Sequence, residues 1–336
     1  MIHIALNGFG RIGRSFLRSY LCDPVARKSL FIAAINVGPI DTRLVAHMFA
    51  YDTFMGPLTY AVNCDETTLY VDGLQIPLIS VMSPLDAPWA VLGIDWVIEA
   101  TGFFTTKEKA SLHLQAGAKK VLITAPGKQV DVTIVPGVND AMFDASKHMI
   151  VSLASCTTNA LAPMLKVLHE VFDVQSAMMN TIHSYTNNQV LLDGDARDLR
   201  QARAANLNII PTATGASSAI QEVYPCLAGR VTGMSLRVPI AKISIVDLTF
   251  TASKALDKNS INQAFRDARD GFLKNILDAN CLPLVSIDYT NNPHSVIIDE
   301  LLTDVCQGSM GKVFGWYDNE YGYASRLKDF LVQQDR

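Results

Sequence analysis

Charge, long apolar runs and clustered cysteines are all scarce in this chain. Only 18% of its 336 residues are charged, and the formal net charge is -4. That balance gives no broad basic surface and speaks against specific nucleic-acid binding. No apolar run approaches the roughly 20 residues that span a bilayer. The opening apolar stretch, residues 2–6, is too short for a secretory leader and runs into a glycine loop, so the expected location is cytoplasmic, with no membrane partner. The six cysteines (Cys22, Cys64, Cys156, Cys226, Cys281 and Cys306) are far apart and form no C-x-x-C. This spacing excludes both a disulfide framework and a zinc site, and no metal is expected. Repeats, low-complexity stretches and flexible linkers are missing as well. What is present is 49% hydrophobic residues in a chain long enough for two domains.

The front of the chain alternates strand-like and helix-like runs. Residues 2–6 read as a buried strand, followed by Asn7-Gly8-Phe9-Gly10-Arg11-Ile12-Gly13-Arg14. Gly8, Gly10 and Gly13 fit G-x-G-x-x-G between a strand and a helix, the context in which that pattern holds a dinucleotide pyrophosphate. A second strand over 30–36 ends in Asn36-Val37-Gly38, where an Asp or Glu would normally take the adenosine ribose hydroxyls. Without a carboxylate there, nothing repels a 2′-phosphate. Thr42 and Arg43 are close enough in sequence to bind one, while Asp41 is an alternative carboxylate, so NAD and NADP both remain open. Strands over 96–100 (before Thr101-Gly102), 120–124 (ending at Thr124), 131–135 and 149–153 then complete a doubly wound pattern with a helix over 107–116.

Cys156 lies between the strand-like run 149–153 and the helix-like run 161–172. A helix N-terminus offers unpaired N–H groups and a positive dipole end, and so favours a thiolate. Ser155, Thr157 and Thr158 beside it can cap that helix or hold an anion. By itself this pattern equally describes a buried cysteine among capping residues. Its place at the carboxyl end of the nucleotide sheet, where ligands bind, makes it a candidate nucleophile.

A thiol nucleophile needs a base. His183 ends the strand-like run 177–182 before a polar stretch, whereas His169 falls late in the helix, where complementing the dipole is the simpler role. Arg200, Arg203, Thr212, Thr214, Gly215 and Arg237 suit phosphate or carboxylate recognition. Runs over 242–251 and 282–287 suggest a large, mostly antiparallel sheet, with a helix over 258–279 between them and a final amphipathic helix from about 324 to 333.

From end to end the chain resembles the phosphorylating glyceraldehyde-3-phosphate dehydrogenases. The resemblance rests on Asn7 to Arg14, Ser155-Cys156-Thr157-Thr158-Asn159, His183-Ser184-Tyr185-Thr186-Asn187, Thr214-Gly215-Ala216, Arg237-Val238-Pro239 and Trp316-Tyr317-Asp318-Asn319-Glu320. It implies an α/β protein, with a Rossmann-type doubly wound domain over 1–155, a helix of 319–336 packed back on it, and an α+β catalytic domain over 156–318. Cys156 would attack an aldehyde and His183 would serve as base. The dinucleotide would meet Gly8, Gly10, Arg11, Ile12, Gly13, Asn36, Val37, Thr101, Gly102, Thr124, Asn319 and Tyr323. Ser155, Thr157, Thr186, Thr214, Gly215 and Arg237 would hold the phosphates of glyceraldehyde 3-phosphate and the attacking inorganic phosphate. A homotetramer is the expected assembly.

The chain departs from that pattern in two places. Gln201 stands where the family usually reads a second arginine of D-L-R-R-A-R, which thins the charge for inorganic phosphate. Val37 stands where NAD-specific members carry Asp. Erythrose-4-phosphate dehydrogenase shares the cysteine and histidine and is the neighbouring alternative, which Pro293-His294-Ser295 favours. A catalytically weak paralogue acting as a binding protein would show a broken cysteine–histidine pair, and this chain keeps both residues.

Overall fold

The strand β1 (Ile2–Asn7) buries every side chain but His3, as a strand covered on both faces must. This is a computed structural model, and it describes residues 1–196 and 198–335. Two units make up the chain. The first takes in Met1–Ile134, Asp140–Ala154 and the chain from Ala324 onward; the second takes in Val135–Asn139 and Ser155–Tyr323.

In the first unit β1 leads through Gly10 into α1 (Arg11–Leu21), then α2 (Pro24–Ser29), β2 (Leu30–Asn36) and α3 (Thr42–Ala50). Three short strands follow, β3 (Val62–Cys64), β4 (Thr68–Val71) and β5 (Leu74–Ile79), then β6 (Trp96–Glu99), α4 (Lys107–Gln115), β7 (Lys120–Ile123), β8 (Val132–Thr133) and β9 (Ile150–Ser152). The sheet runs β3-β4-β5-β2-β1-β6-β7-β9-β8. It is parallel from β5 to β8, and an antiparallel β3-β4-β5 meander, which no sequence pattern had signalled, extends one edge. Small side chains (Ala5, Ala33, Ala34) leave room for Trp89 and Ile94 in the core against β6. The last helix closes this unit from Ala324 on. Phe330 meets Trp96 edge-on at 5.7 Å and Phe143 at 5.3 Å, and Lys328 Nζ pairs with Asp23 at 2.5 Å. Of the helix expected over 319–336, Arg336 lies outside the described residues.

The second unit holds α5 (Cys156–Phe172), β10 (Val174–Ser184), β11 (Ile210–Thr212), α6 (Ala216–Val223), β12 (Val231–Val238), β13 (Ser244–Ala252), α7 (Lys258–Asp270), β14 (Leu277–Asn280), β15 (Val296–Asp299), β16 (Asp304–Cys306), β17 (Met310–Tyr317) and the start of α8 (Tyr321–Gln333). Its sheet order is β11-β12-β10-β13-β17-β15-β14, and only β10/β12 and β14/β15 are parallel. Helices cover one face. On the other, Met178 and Met234 are exposed.

Two sequence expectations fail here. The helix expected over 258–279 stops at Asp270, because Gly271 breaks it (a Cβ there would sit 2.9 Å from Asp267 O) and the chain re-enters the sheet as β14. No strand forms over 282–287. Leu282, Val285 and Ile287 all stand exposed with no face to cover them, and a short 3₁₀ turn at Ser286–Tyr289 takes their place.

Candidate active site

The strand-to-helix turn before Cys156 is built by local rules. Ala154 takes a left-handed conformation (φ 55°), and Ser155 Oγ caps α5 by accepting from Thr158 N at 3.1 Å. The helix therefore starts at Cys156 itself, five residues before its apolar run. This places the half-buried thiol in the first turn.

Opposite it stands His183 on β10, with Nε2 3.7 Å from Cys156 Sγ. His183 pairs in register with Arg237 on the parallel neighbour β12, and Arg237 with Ile210 on β11. The sheet therefore delivers the base and the guanidinium side by side. Arg237 Nη1 lies 2.6 Å from His183 Nδ1 and donates to Ser184 O at 3.1 Å, while its Nε is buried without a partner. His169, the other candidate base, sits near Asp173 at the far end of α5.

Burial dominates the electrostatics. It pushes the Cys156 thiol up, against the downward pull of Arg237 and the backbone around Thr157. Burial first, and then the Arg237 charge, bring the His183 imidazole down to about 3. The sequence points to a thiolate favoured by the helix start; desolvation of the sulfur opposes it and is the larger effect. Both shifts run toward the neutral thiol and the neutral imidazole.

The wall behind them is a hydroxyl cluster. Tyr317 OH bridges Thr157 Oγ1 at 2.9 Å and Thr181 Oγ1 at 2.8 Å, and its ring meets His183 edge-on. Ser184 N donates to Ser244 Oγ at 3.1 Å, and Ser184 Oγ donates to Asn319 Oδ1 at 3.0 Å. Since Oδ1 is taken, Asn319 presents its NH2 group as the free recognition end. Thr186 N and Oγ1 both donate to Gln189 Oε1, Gln189 Nε2 donates to Gln201 Oε1 at 3.4 Å, and Gln201 Nε2 donates to Thr212 Oγ1 at 3.0 Å. Thr214 Oγ1 and Gly215 cap α6. Arg203 turns away onto Asp193, with Nε at 2.9 Å from the carboxylate. Tyr323 is buried, and its phenol is pushed well up by burial.

Sequence reading singled out Cys156, His183, Thr157 and Arg237, which these distances bring together. It passed over Tyr317, Ser184, Ser244 and Gln189. Tyr317 and Ser184 lie inside motif blocks and were reachable; nothing in the sequence marks Ser244.

In the first unit the candidate cofactor residues gather at the carboxyl ends of the strands. Gly8 (φ 100°) lies against Thr101, where a Cβ would fall 2.8 Å from Thr101 N, and a Cβ on Gly13 would fall 2.4 Å from Gly8 O. Gly10 is the N-cap of α1, with open space beside it and no side-chain cap of its own. A helix N-terminus that opens into such space fits a pyrophosphate. Arg11 pairs with Asp52 and stacks on Phe54, and Ile12 is half-buried beside it. Val37 is buried at the end of β2, beside a cavity of about 310 Å³ that Asp41, Thr42 and Glu66 also line. Arg43 is tied to Asp41 at 2.7 Å. Gly102 (φ 78°) turns the chain after β6, and Thr124 N donates to Glu99 O at 3.0 Å. Among the described residues, no group of three or more His, Cys, Asp or Glu could hold a metal ion, and no helix is long and apolar enough to cross a membrane.

A dinucleotide-type parallel sheet and a thiol–imidazole pair carried by one chain are the features of an NAD-dependent oxidoreductase. Residues 2–107 match the glyceraldehyde 3-phosphate dehydrogenase NAD binding domain, and residues 155–319 match the C-terminal domain of the same family. The chain is 45% identical over 330 residues to glyceraldehyde-3-phosphate dehydrogenase 2 of Bacillus subtilis, covering 98% of this chain and 96% of that one. It is 46% identical over 333 residues to glyceraldehyde-3-phosphate dehydrogenase of Streptomyces coelicolor, covering 98% of each. The chain belongs to the glyceraldehyde-3-phosphate dehydrogenase family.

Proposed function

We propose that this protein oxidises glyceraldehyde 3-phosphate and captures the product as an acyl phosphate, 1,3-bisphosphoglycerate, on the pair Cys156 and His183. The observation that carries the reading is the 3.7 Å approach of Sγ to Nε2 with Arg237 alongside. With Arg237 drawn onto the substrate phosphate, Nδ1–H is held on Ser184 O, and Nε2 is a bare acceptor facing the sulfur that takes the thiol proton as sulfur adds to the aldehyde carbon. His183 hands that proton to the alkoxide to give the thiohemiacetal hydroxyl and takes it back as the C–H bond breaks, leaving a thioester on Cys156. The bound dinucleotide supplies the hydride acceptor. An oxygen of inorganic phosphate adds to the thioester carbonyl, and the thiolate leaves to reform the starting pair.

Arg237 and Thr186 bind the substrate phosphate, while Ser155, Thr157, Thr214 and Gly215 hold the inorganic one. Gly8, Gly10, Arg11, Ile12, Gly13, Asn36, Val37, Thr101, Gly102 and Thr124 bind the dinucleotide; Asn319, with Tyr323, orients the nicotinamide carboxamide. NADP serves as well as NAD, because Val37 carries no charge to repel a 2′-phosphate. The nucleotide domain comprises residues 1–155 with the final helix, and the catalytic domain residues 156–318. Exposed Met178 and Met234 on the open sheet face, with Leu191, Leu192, Leu199 and Leu207 on the following loop, support a homotetramer. The enzyme works in the cytoplasm.

A matrix of two aldehydes, two cofactors, and phosphate present or absent tests this. Phosphate-dependent turnover of glyceraldehyde 3-phosphate, lost in Cys156→Ser and reduced by about 10²-fold or more in His183→Asn, is the expected result. Phosphate-independent turnover of erythrose 4-phosphate overturns it in favour of erythrose-4-phosphate dehydrogenase. No turnover of either aldehyde leaves the binding-protein reading.

A further inference from the structure

The first unit buries a carboxylate that the chemistry above does not use. Glu99 ends β6 with its side chain fully shielded from solvent, and every partner it has donates to it. Oε2 accepts from Asn7 Nδ2 at 2.6 Å and from His113 Nε2 at 3.0 Å. Oε1 accepts from Thr101 N at 2.8 Å and from the Thr101 hydroxyl.

The direction of each bond is fixed from its far end. Trp89 Nε1, which can only donate, points at His113 Nδ1 at 3.0 Å, so Nδ1 is bare and the ring proton sits on Nε2, facing Glu99. Along the other arm, Gly38 N and Val81 N donate to Asn36 Oδ1 at 3.2 and 3.0 Å. Asn36 Nδ2 therefore donates to Asn7 Oδ1 at 2.7 Å, and Asn7 Nδ2 is left to donate to Glu99. Both arms end on a group that must be all acceptor. An amide in its place would set its NH2 against either the Asn7 and His113 donors or Thr101 N–H.

The residues so tied, Asn7, Asn36 and Thr101, stand directly before or within the three loops at the carboxyl ends of β1, β2 and β6. The Gly8 loop already packs on Thr101 with no room for a Cβ. We propose that Glu99 is a positioning residue for the dinucleotide, a common acceptor that fixes the spacing of the glycine loop, the Asn36–Gly38 turn and the Thr101–Gly102 turn. His113 and Trp89 are its supports. The inference rests on the reading that this unit holds NAD or NADP.

The test is Glu99→Gln, with Trp89→Phe as the milder variant that removes the Nε1 donor and so frees the His113 tautomer. Titration calorimetry measures the affinity for NAD and NADP, steady-state kinetics separates the cofactor KM from kcat, and iodoacetamide reports on Cys156. The expected result is a cofactor Kd and KM raised about tenfold or more in Glu99→Gln, as a buried donor left unpaired implies. Trp89→Phe should show a smaller rise, and Cys156 alkylation should match wild type in both. An unchanged cofactor affinity in folded Glu99→Gln overturns the inference. Should that variant fail to fold, unchanged affinity in Trp89→Phe overturns it. A fall in Tm with no change in cofactor affinity assigns Glu99 to stability alone and overturns it too. A wild-type protein that binds neither NAD nor NADP refutes the underlying reading instead.

Discussion

Arg237 Nη1 stands 2.6 Å from His183 Nδ1, the same nitrogen that lies 2.7 Å from Ser184 O. A guanidinium only donates, so its bond needs Nδ1 bare, while the bond to the carbonyl needs Nδ1 protonated. The two cannot exist at once, and a doubly protonated ring would face the Arg237 charge. This contact makes the protonation of the base depend on where Arg237 is engaged.

A pH dependence follows from it. The His183 imidazole is ordinary in the unfolded chain, near 6.5, and held to about 3 in the folded one. The folded state therefore binds fewer protons in this window. The stability this residue contributes is full above about pH 6.5 and is lost as the pH falls from there toward 3, a matter of a few kcal/mol. Denaturant titrations across that range should show the loss. Inorganic phosphate or sulfate, by engaging Arg237, should lessen it and move the His183 ring resonance titration upward. A His183 that titrates near its ordinary value in anion-free protein contradicts this account.

Gln201 is neutral and bonded to Thr212 and Gln189. Gln201→Arg adds a charge-assisted donor near the residues assigned to inorganic phosphate, so KM for phosphate should fall about tenfold. The pre-steady-state burst of reduced cofactor should stay as in wild type, because it precedes phosphate attack. An unchanged phosphate KM would place Gln201 outside that subsite.

Val37 predicts the cofactor. Wild-type kcat/KM with NADP should be at least comparable to that with NAD, and a hundredfold deficit with NADP refutes the idea. Val37→Asp should cost NADP about tenfold or more through like-charge repulsion with the 2′-phosphate, and should spare NAD. Arg43 is the reason to measure rather than assume the wild-type ratio: Asp41 already holds it, so little of its charge is left for a phosphate.

Local patterns were legible wherever the physics is local. Glycines at 8, 10 and 13 between a strand and a helix require a tight turn and close backbone approach, and the turn formed as the spacing implies. Ser155 before Cys156 is a helix start whatever surrounds it. The misreadings came where burial decides. The apolar residues 282, 285 and 287 look like strand by type, yet all three stand exposed in the folded chain.

By itself, the sequence determined the class of fold and the family, and it marked the candidate nucleophile and the candidate base, because each rests on residue type and spacing along the chain. Tertiary structure alone decided that Arg237 shares a nitrogen of His183, since parallel pairing of β10 with β12 joins residues 54 apart. It alone gathered Asn7, Asn36, Thr101, His113 and Trp89 around Glu99, through bonds between elements that no linear pattern relates. The burial that pushes the Cys156 thiol up against the helix start is likewise a property of packing.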